Sequence, residues 1–360
     1  MQVLLRNPRL EISLTKLKTN TQRIVALCRK VGVSVLGVTK ACLGAPELAR
    51  AMIKGGVVGL ADSRLENLER LRKAGFDTQL WLVRLPMLSA VDDVVRLADG
   101  SLNSEYRVIK ALSEAATKQG VVHKVVLMVE LGDLREGLLP EDAVATVGKC
   151  LGLDGIQVVG LGTNLTCFGG VIPTEDNLSV LVRLVQCIKT RFGLELEVVS
   201  GGNSSSLPLV LAGRMVPGIN ELRIGEGILL GHETVYRRPI PGTYQDAFRL
   251  IAEIIEVKDK PSVPQGEIGT DAFGRKPDFE DKGVRRRAIL GIGRQDVDVE
   301  GLRPEHESLE ILGASSDHLL VDVTESRQGF EVGDELALIP DYKALLGAMT
   351  SPYVRKVWMA

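Results

Sequence analysis

Val35-Leu-Gly-Val-Thr-Lys-Ala41 is the stretch on which the fold reading turns. Its apolar and small residues fit a strand buried on both faces, as parallel sheets require. Lys40 follows at the carboxyl end. An ammonium inside such a run is costly unless it is paired or neutralised. At a strand's end it can instead point into a pocket. There desolvation lowers a lysine's pKa, and a Schiff base with a carbonyl becomes available. A lysine where a strand meets solvent is the plainer account, and Lys40 alone does not separate the two.

The same strand pattern recurs near 57–61, 79–83, 100–103, 124–130, 157–162, 196–200 and 221–225. Helical periodicity fills the gaps. Leu65, Leu68 and Leu71 share one face, and Leu178, Leu181, Val182, Val185 and Ile188 share another. Ser13 is placed to cap a helix that runs to Val31 and stops at Gly32. Parallel strands need helical crossovers, so eight strand–helix repeats predict a (β/α)8 TIM barrel over residues 1–235. A doubly wound sheet is the weaker alternative, because no GxGxxG follows the first strand. Beyond 235 prolines interrupt the helical pattern. Short runs at 248–257, 288–292, 309–312, 319–323 and 336–339 predict a smaller, mainly-β domain over 236–360, with residues 1–9 expected to pair with it. The polar stretch 261–282 reads as a linker or a loop ordered by a partner subunit.

Of the 360 residues, 45% are hydrophobic and 25% charged, an ordinary globular balance. A net charge of −2 gives no bulk electrostatic case for nucleic acid or an anionic membrane. The run Arg285-Arg286-Arg287 reads as a solvated edge or an anion contact. The five cysteines form no CxxC and fit no zinc spacing, and no apolar run is long enough to span a membrane. A reduced cytoplasmic protein without a metal is expected.

In a barrel, active residues gather at the carboxyl ends of the strands. Lys40, Asp62, Arg84, Asn103, Glu130, Asp133, Arg135, Thr163 and Asn164 fall there. So do Gly201-Gly-Asn-Ser-Ser-Ser206, with a helix expected over 205–211, and Arg223-Ile-Gly-Glu-Gly227. The last two read as a phosphate cradle: glycine amides approach closely and serine hydroxyls donate. A flexible Gly/Ser loop is the plainer account of the first. A Schiff-base lysine together with such a cradle points to pyridoxal 5′-phosphate.

Val38-Thr-Lys-Ala41 resembles the lysine motif of the alanine racemase group, the fold-type III pyridoxal-phosphate enzymes. The resemblance spans nearly the whole chain, through Glu130–Gly137, Gly162–Thr166, Asn203-Ser204, Arg223-Ile-Gly225, Ser316–Thr324 and Val332–Leu336. Thr163–Thr174, Gly293–Val297 and Ala314–His318 are similar to the ornithine racemase branch. The resemblance implies that Lys40 holds the cofactor and acts as a base. It assigns Arg135 to the phenolic oxygen, and to the ring Asn164, where alanine racemases have histidine. It also assigns Ser204 to phosphate, where the amides about Gly227 are already expected, and Arg223, or Glu226 in second place, to the pyridine nitrogen. The second base in alanine racemases is a partner's tyrosine, and Ile292 stands at that position here. His318 beside Asp317 is the replacement expected, with Cys167 second.

The activity implied is interconversion of L- and D-amino acids, ornithine first, with lysine, arginine or alanine also in range. The implied assembly is a head-to-tail homodimer with its active site shared between subunits. Asp271, Asp296 and Glu226 are acceptors open to a distal ammonium. A decarboxylase on the same fold would place a carboxylate against the pyridine nitrogen. A non-catalytic carrier of the cofactor would be a lone barrel.

Overall fold

The structure, a computed structural model, describes residues 7–274 and 276–360. It divides into two compact units, one of residues 14–245, the other holding Arg9–Ser13 and residues 246–360. The strands in chain order begin with β1 (Arg9–Ser13), β2 (Ser34–Val38), β3 (Gly59–Asp62), β4 (Leu80–Leu82) and β5 (Gly100–Asn103). Then come β6 (His123–Met128), β7 (Ile156–Gly162), β8 (Val198–Ser200) and β9 (Glu221–Ile224). Strands β2 to β9 close into a parallel barrel, with β2 bonded to both β3 and β9. This is the predicted TIM architecture. Leu36 lies opposite Gly59 on one side and Arg223 on the other.

Side chains fill the barrel. Leu36, Val38, Ala61, Trp81, Leu102, Val126, Met128 and Val159 pack as one buried cluster. The indole of Trp81 is accommodated because β5 begins with glycine: a Cβ on Gly100 would lie 2.5 Å from the Trp81 ring. Outside, the helix Leu14–Arg29 approaches the helix Pro46–Gly55 closely, and a Cβ on Gly55 would lie 2.4 Å from Thr21 Cβ. The helix Glu175–Phe192 opens on a capping box made by Thr174 and Asn177, and buries Leu178, Leu181 and Ile188. Residues 236–245 stay with the barrel. Asn20 Nδ2 donates to Tyr244 O at 2.9 Å and Tyr244 N to Asn20 Oδ1 at 2.7 Å, while Thr243 Oγ1 donates to Gly231 O.

The second unit continues with β10 (Phe248–Pro261), β11 (Val284–Leu290), β12 (Leu302–Pro304), β13 (Glu310–Ala314), β14 (Leu319–Asp322), β15 (Glu335–Pro340) and β16 (Arg355–Met359). Its sheet runs β12-β15-β10-β11-β14-β13, with β1 antiparallel to β10 and parallel to β16. Of residues 1–9, expected to pair with this domain, 1–6 lie outside the described residues, and Arg9 sits opposite Ile251 and Arg355. The triple arginine belongs to β11, and two of the three are ion-paired within the chain, while Arg287 donates to Ser262 O at 2.9 Å. Arg285 pairs with Asp322 at 2.8 Å and Glu325 at 2.9 Å, and Arg286 with Asp259 at 3.8 Å. Among the described residues no helix is long and apolar enough to cross a membrane.

Candidate active site

Lys40 opens a 3-10 turn, Lys40–Cys42, just past β2. The buried residue is the one before it. Thr39 donates its hydroxyl to Asp62 Oδ2 at 2.7 Å, and Asp62 Oδ1 accepts from Asn67 Nδ2 at 2.9 Å and Arg64 N at 3.0 Å. Burial pushes the Asp62 carboxyl up, and these donors oppose it. Lys40 itself is exposed at the carboxyl end of the buried run, as its position predicts, and a buried Thr39–Asp62 clamp fixes the residue before it.

The glycine and serine loop after β8 forms a cradle. Ser204 is buried, and its Oγ accepts from Gly227 N at 3.0 Å, which leaves the hydroxyl hydrogen to donate. A Cβ on Gly227 would lie 2.9 Å from Leu207 Cδ1 and 3.4 Å from Ser204 Oγ, so a side chain there would crowd the cradle. The helix expected over 205–211 is a 3-10 turn, Ser204–Ser206, followed by the short helix Leu207–Leu211. Pro208 breaks the first turn's amide series, so hydroxyl and glycine amides carry the anion chemistry rather than a long helix's dipole. Asn203 binds the loops together. It donates to Asn164 Oδ1 at 2.9 Å and Leu165 O at 3.0 Å, and accepts from Ser205 N at 2.7 Å.

Arg223 is buried beneath this loop, donating to Thr163 O at 2.6 Å and to Ser200 Oγ. Ser200 donates onward to Glu221 Oε1 at 2.9 Å. Burial lowers the Arg223 pKa, opposed by the nearby Glu221 carboxylate. Burial raises that of Glu221, opposed by Arg223 and by the Ser200 bond. The pair is thus a directional relay, Arg223 to Ser200 to Glu221. Glu226 turns to Arg237, with which it forms an ion pair. Ser200 and Glu221 were not singled out from the sequence. The available signal was a carboxylate two residues before an arginine in the strand Glu221-Leu-Arg-Ile224.

Arg135 is paired with Glu136, and Glu130 braces its backbone by accepting from Arg135 N at 3.1 Å. Partial burial works against the Arg135 charge, but Glu136, with the nearby Cys167 and Asp133, outweighs it, so its pKa is raised. Asp133 is buried nearby and holds the neighbouring loop. Its carboxylate accepts from Thr166 N at 2.9 Å, Cys167 N at 3.0 Å, Phe168 N at 2.9 Å and Val171 N at 3.2 Å. Burial pushes its carboxyl up, but these four amides bring it below the usual range. Thr166 is held in the left-handed region, φ 63°. Asn164 Nδ2 donates to Cys167 Sγ at 3.0 Å.

Asp317 and His318 belong to the other unit and are exposed in the hairpin turn between β13 and β14, where Ser315 N donates to His318 O at 2.9 Å. Ile292, where the resemblance expects a tyrosine, is buried. Asp296 is engaged within its own unit by Gly293 N and Ser351 Oγ.

Pyridoxal phosphate needs an amine, an anion cradle and a partner for its ring nitrogen. Exposed Lys40, the Ser204–Gly227 cradle with its missing Cβ atoms, and buried Arg223 supply a donor set of that kind, so the residues fit the group.

Residues 12–232 match the family model described as alanine racemase, N-terminal domain. The chain belongs to the alanine racemase family. It is 47% identical to "Ornithine racemase" of Acetoanaerobium sticklandii over 97% of this chain and 99% of that protein. It is 41% identical to "Lysine racemase" of Thermotoga maritima over 98% of each. Its fold superposes on an alanine racemase of Clostridium difficile 630 with a TM-score of 0.74 at 19% identity, covering 99% of this chain and 97% of that one. It is a pyridoxal-phosphate-dependent amino-acid racemase, an isomerase.

Proposed function

We propose that the substrate is a diamino acid, ornithine in the first place and lysine in the second. The observation that carries this is full-length similarity to an ornithine racemase and a lysine racemase at 47% and 41% identity.

In this reading Lys40 holds the cofactor and acts as the base on one face of the substrate. Ser204 and the amides about Gly227 take the phosphate, Arg135 the phenolic oxygen, and Asn164 the ring. Pyridoxal phosphate, when bound, accepts the electron pair freed at the α-carbon. Arg223 governs how strongly. A guanidinium does not give up its proton, so Arg223 donates a hydrogen bond to the ring nitrogen and leaves that nitrogen unprotonated. The weaker sink favours return of a proton to carbon over transamination or decarboxylation. A carboxylate at Arg223's place would do the reverse, and the ion pair of Glu226 with Arg237 weighs against Glu226 in that role.

We place the enzyme in the cytoplasm, as a homodimer. The five cysteines are free thiols, which suits a reducing compartment.

The test is incubation of the purified protein with L-ornithine, L-lysine and L-alanine in deuterium oxide, followed by chiral chromatography and mass spectrometry. D-ornithine carrying α-deuterium is expected, formed faster than D-alanine. Carbon dioxide release with no D-enantiomer would sink the reading. A preference for alanine would sink the diamino-acid assignment alone.

A further inference from the structure

The racemisation just proposed needs a proton donor on the face opposite Lys40, and the position that holds a tyrosine in alanine racemases is the buried Ile292. The described barrel supplies a different group. Cys167 is an exposed thiol in the loop after β7. In the closed ring, β7 stands beside β6, the strand diametrically across from β2, which leads into Lys40. The thiol and the amine therefore come from opposing sides of one barrel mouth.

Three features tie the thiol to the site rather than to open surface. Its sulfur accepts from Asn164 Nδ2 at 3.0 Å and Asn203 Nδ2 at 3.4 Å, and those carboxamides belong to the loops of the ring-facing and phosphate-binding residues. It lies within electrostatic reach of both Arg135 and Arg223, so an anion formed there would be matched by cationic groups already in place. Its backbone is fixed by Asp133, which accepts from the amides of Thr166, Cys167, Phe168 and Val171. A thiol can serve as acid and as base in turn.

Resting on the racemase reading above, we propose that Cys167 is the second acid–base residue. From one enantiomer the thiolate takes the α-proton: the carbon–hydrogen bond breaks and a sulfur–hydrogen bond forms. The Lys40 ammonium then gives a proton to the opposite face, and a carbon–hydrogen bond forms as a nitrogen–hydrogen bond breaks. From the other enantiomer the two residues exchange roles. One proton has moved between them, and solvent or the reverse turnover restores it.

The test uses Cys167→Ala and Cys167→Ser, with His318→Ala as the rival, on the amino acid the parent racemises fastest. Both Cys167 variants are expected to bind cofactor, judged by its visible absorption, and to lose racemisation by about 10²-fold or more. They are also expected to keep α-deuterium exchange with retention for one enantiomer only, since Lys40 still serves its own face. Independently of turnover, iodoacetamide labelling of the parent read by peptide mass spectrometry is expected to show Cys167 protected by pyridoxal phosphate and Cys187, an exposed thiol on an outer helix, not protected. Racemisation within tenfold of the parent by Cys167→Ala, equal labelling of Cys167 with and without cofactor, or loss of racemisation in His318→Ala alone would each overturn the proposal. A parent that racemises nothing overturns the functional reading itself, and so is distinguishable from these.

Discussion

At the scale of single residues, Arg223 and Glu221 show what a sequence does and does not make legible. Arg223 is legible through the motif Arg223-Ile-Gly225 at the carboxyl end of a barrel strand. Its partner was not legible, since the hydroxyl between the two comes from Ser200, on the neighbouring strand, and only the closed barrel brings them together. Removing one member of a buried charged pair leaves the other uncompensated. Glu221→Gln is therefore expected to cost about 2 kcal/mol of stability, read as a lower urea midpoint, and to weaken racemisation more than cofactor binding, because Arg223 loses its brace. His123 gives a second prediction at this scale. It is buried against Ser101 Oγ at 2.8 Å, and burial lowers its pKa to about 4. The unfolded chain takes up a proton near 6.5, before the folded one does. Stability contributed by neutral His123 is thus whole above pH 6.5 and lost as pH falls towards 4, by about 3 kcal/mol in total. Urea unfolding between pH 7 and 4.5 should show that slope in the parent and lack it in His123→Asn.

At the scale of elements, the barrel strands were readable to within two residues because both their faces are buried and their apolar runs are nearly continuous. The loops were readable as composition and as motifs, but not in the contacts that hold them. The cradle's short helix and the segment 163–171 depend on side chains that bind backbone far along the chain, and periodicity carries no trace of this. Asp133 is the clearest instance: it was visible as a polar residue after a strand, but its four amide partners begin 33 residues later. Neutralising it should release that loop. Asp133→Asn keeps the shape but replaces one acceptor oxygen with a donor nitrogen facing backbone N–H groups. We expect chymotrypsin to cut after the exposed Phe168 sooner than in the parent, and racemisation to fall by about tenfold or more. The parent itself should show a related release in acid. The Asp133 carboxylate is held below its ordinary value of 3.8, so its contribution is intact above that pH and is lost as pH falls through the lower folded value.

At the scale of the whole molecule, the assigned residues divide unevenly between the two units. Lys40, Arg135, Asn164, Cys167, Ser204 and Arg223 all belong to residues 14–245, while Asp317, His318 and Ile292 belong to the other unit. This bears on what a dimer is for. If the acid opposite Lys40 came from a partner's second unit, subunits crippled at different residues could rescue one another. Random mixing of Lys40→Ala with a variant lacking a partner-supplied acid would then restore one intact site in half the dimers, about a quarter of the parent's activity. If both bases sit on one barrel, no mixture restores a complete pair. We therefore expect Lys40→Ala and Cys167→Ala subunits, unfolded together, refolded and checked for dimer by sedimentation, to stay inactive. Lys40→Ala mixed with the parent should retain activity in proportion to the parent barrels present. Recovery near a quarter in the first mixture would mean that the two residues serve different sites, and that the acid reaches Lys40 from across the subunit boundary.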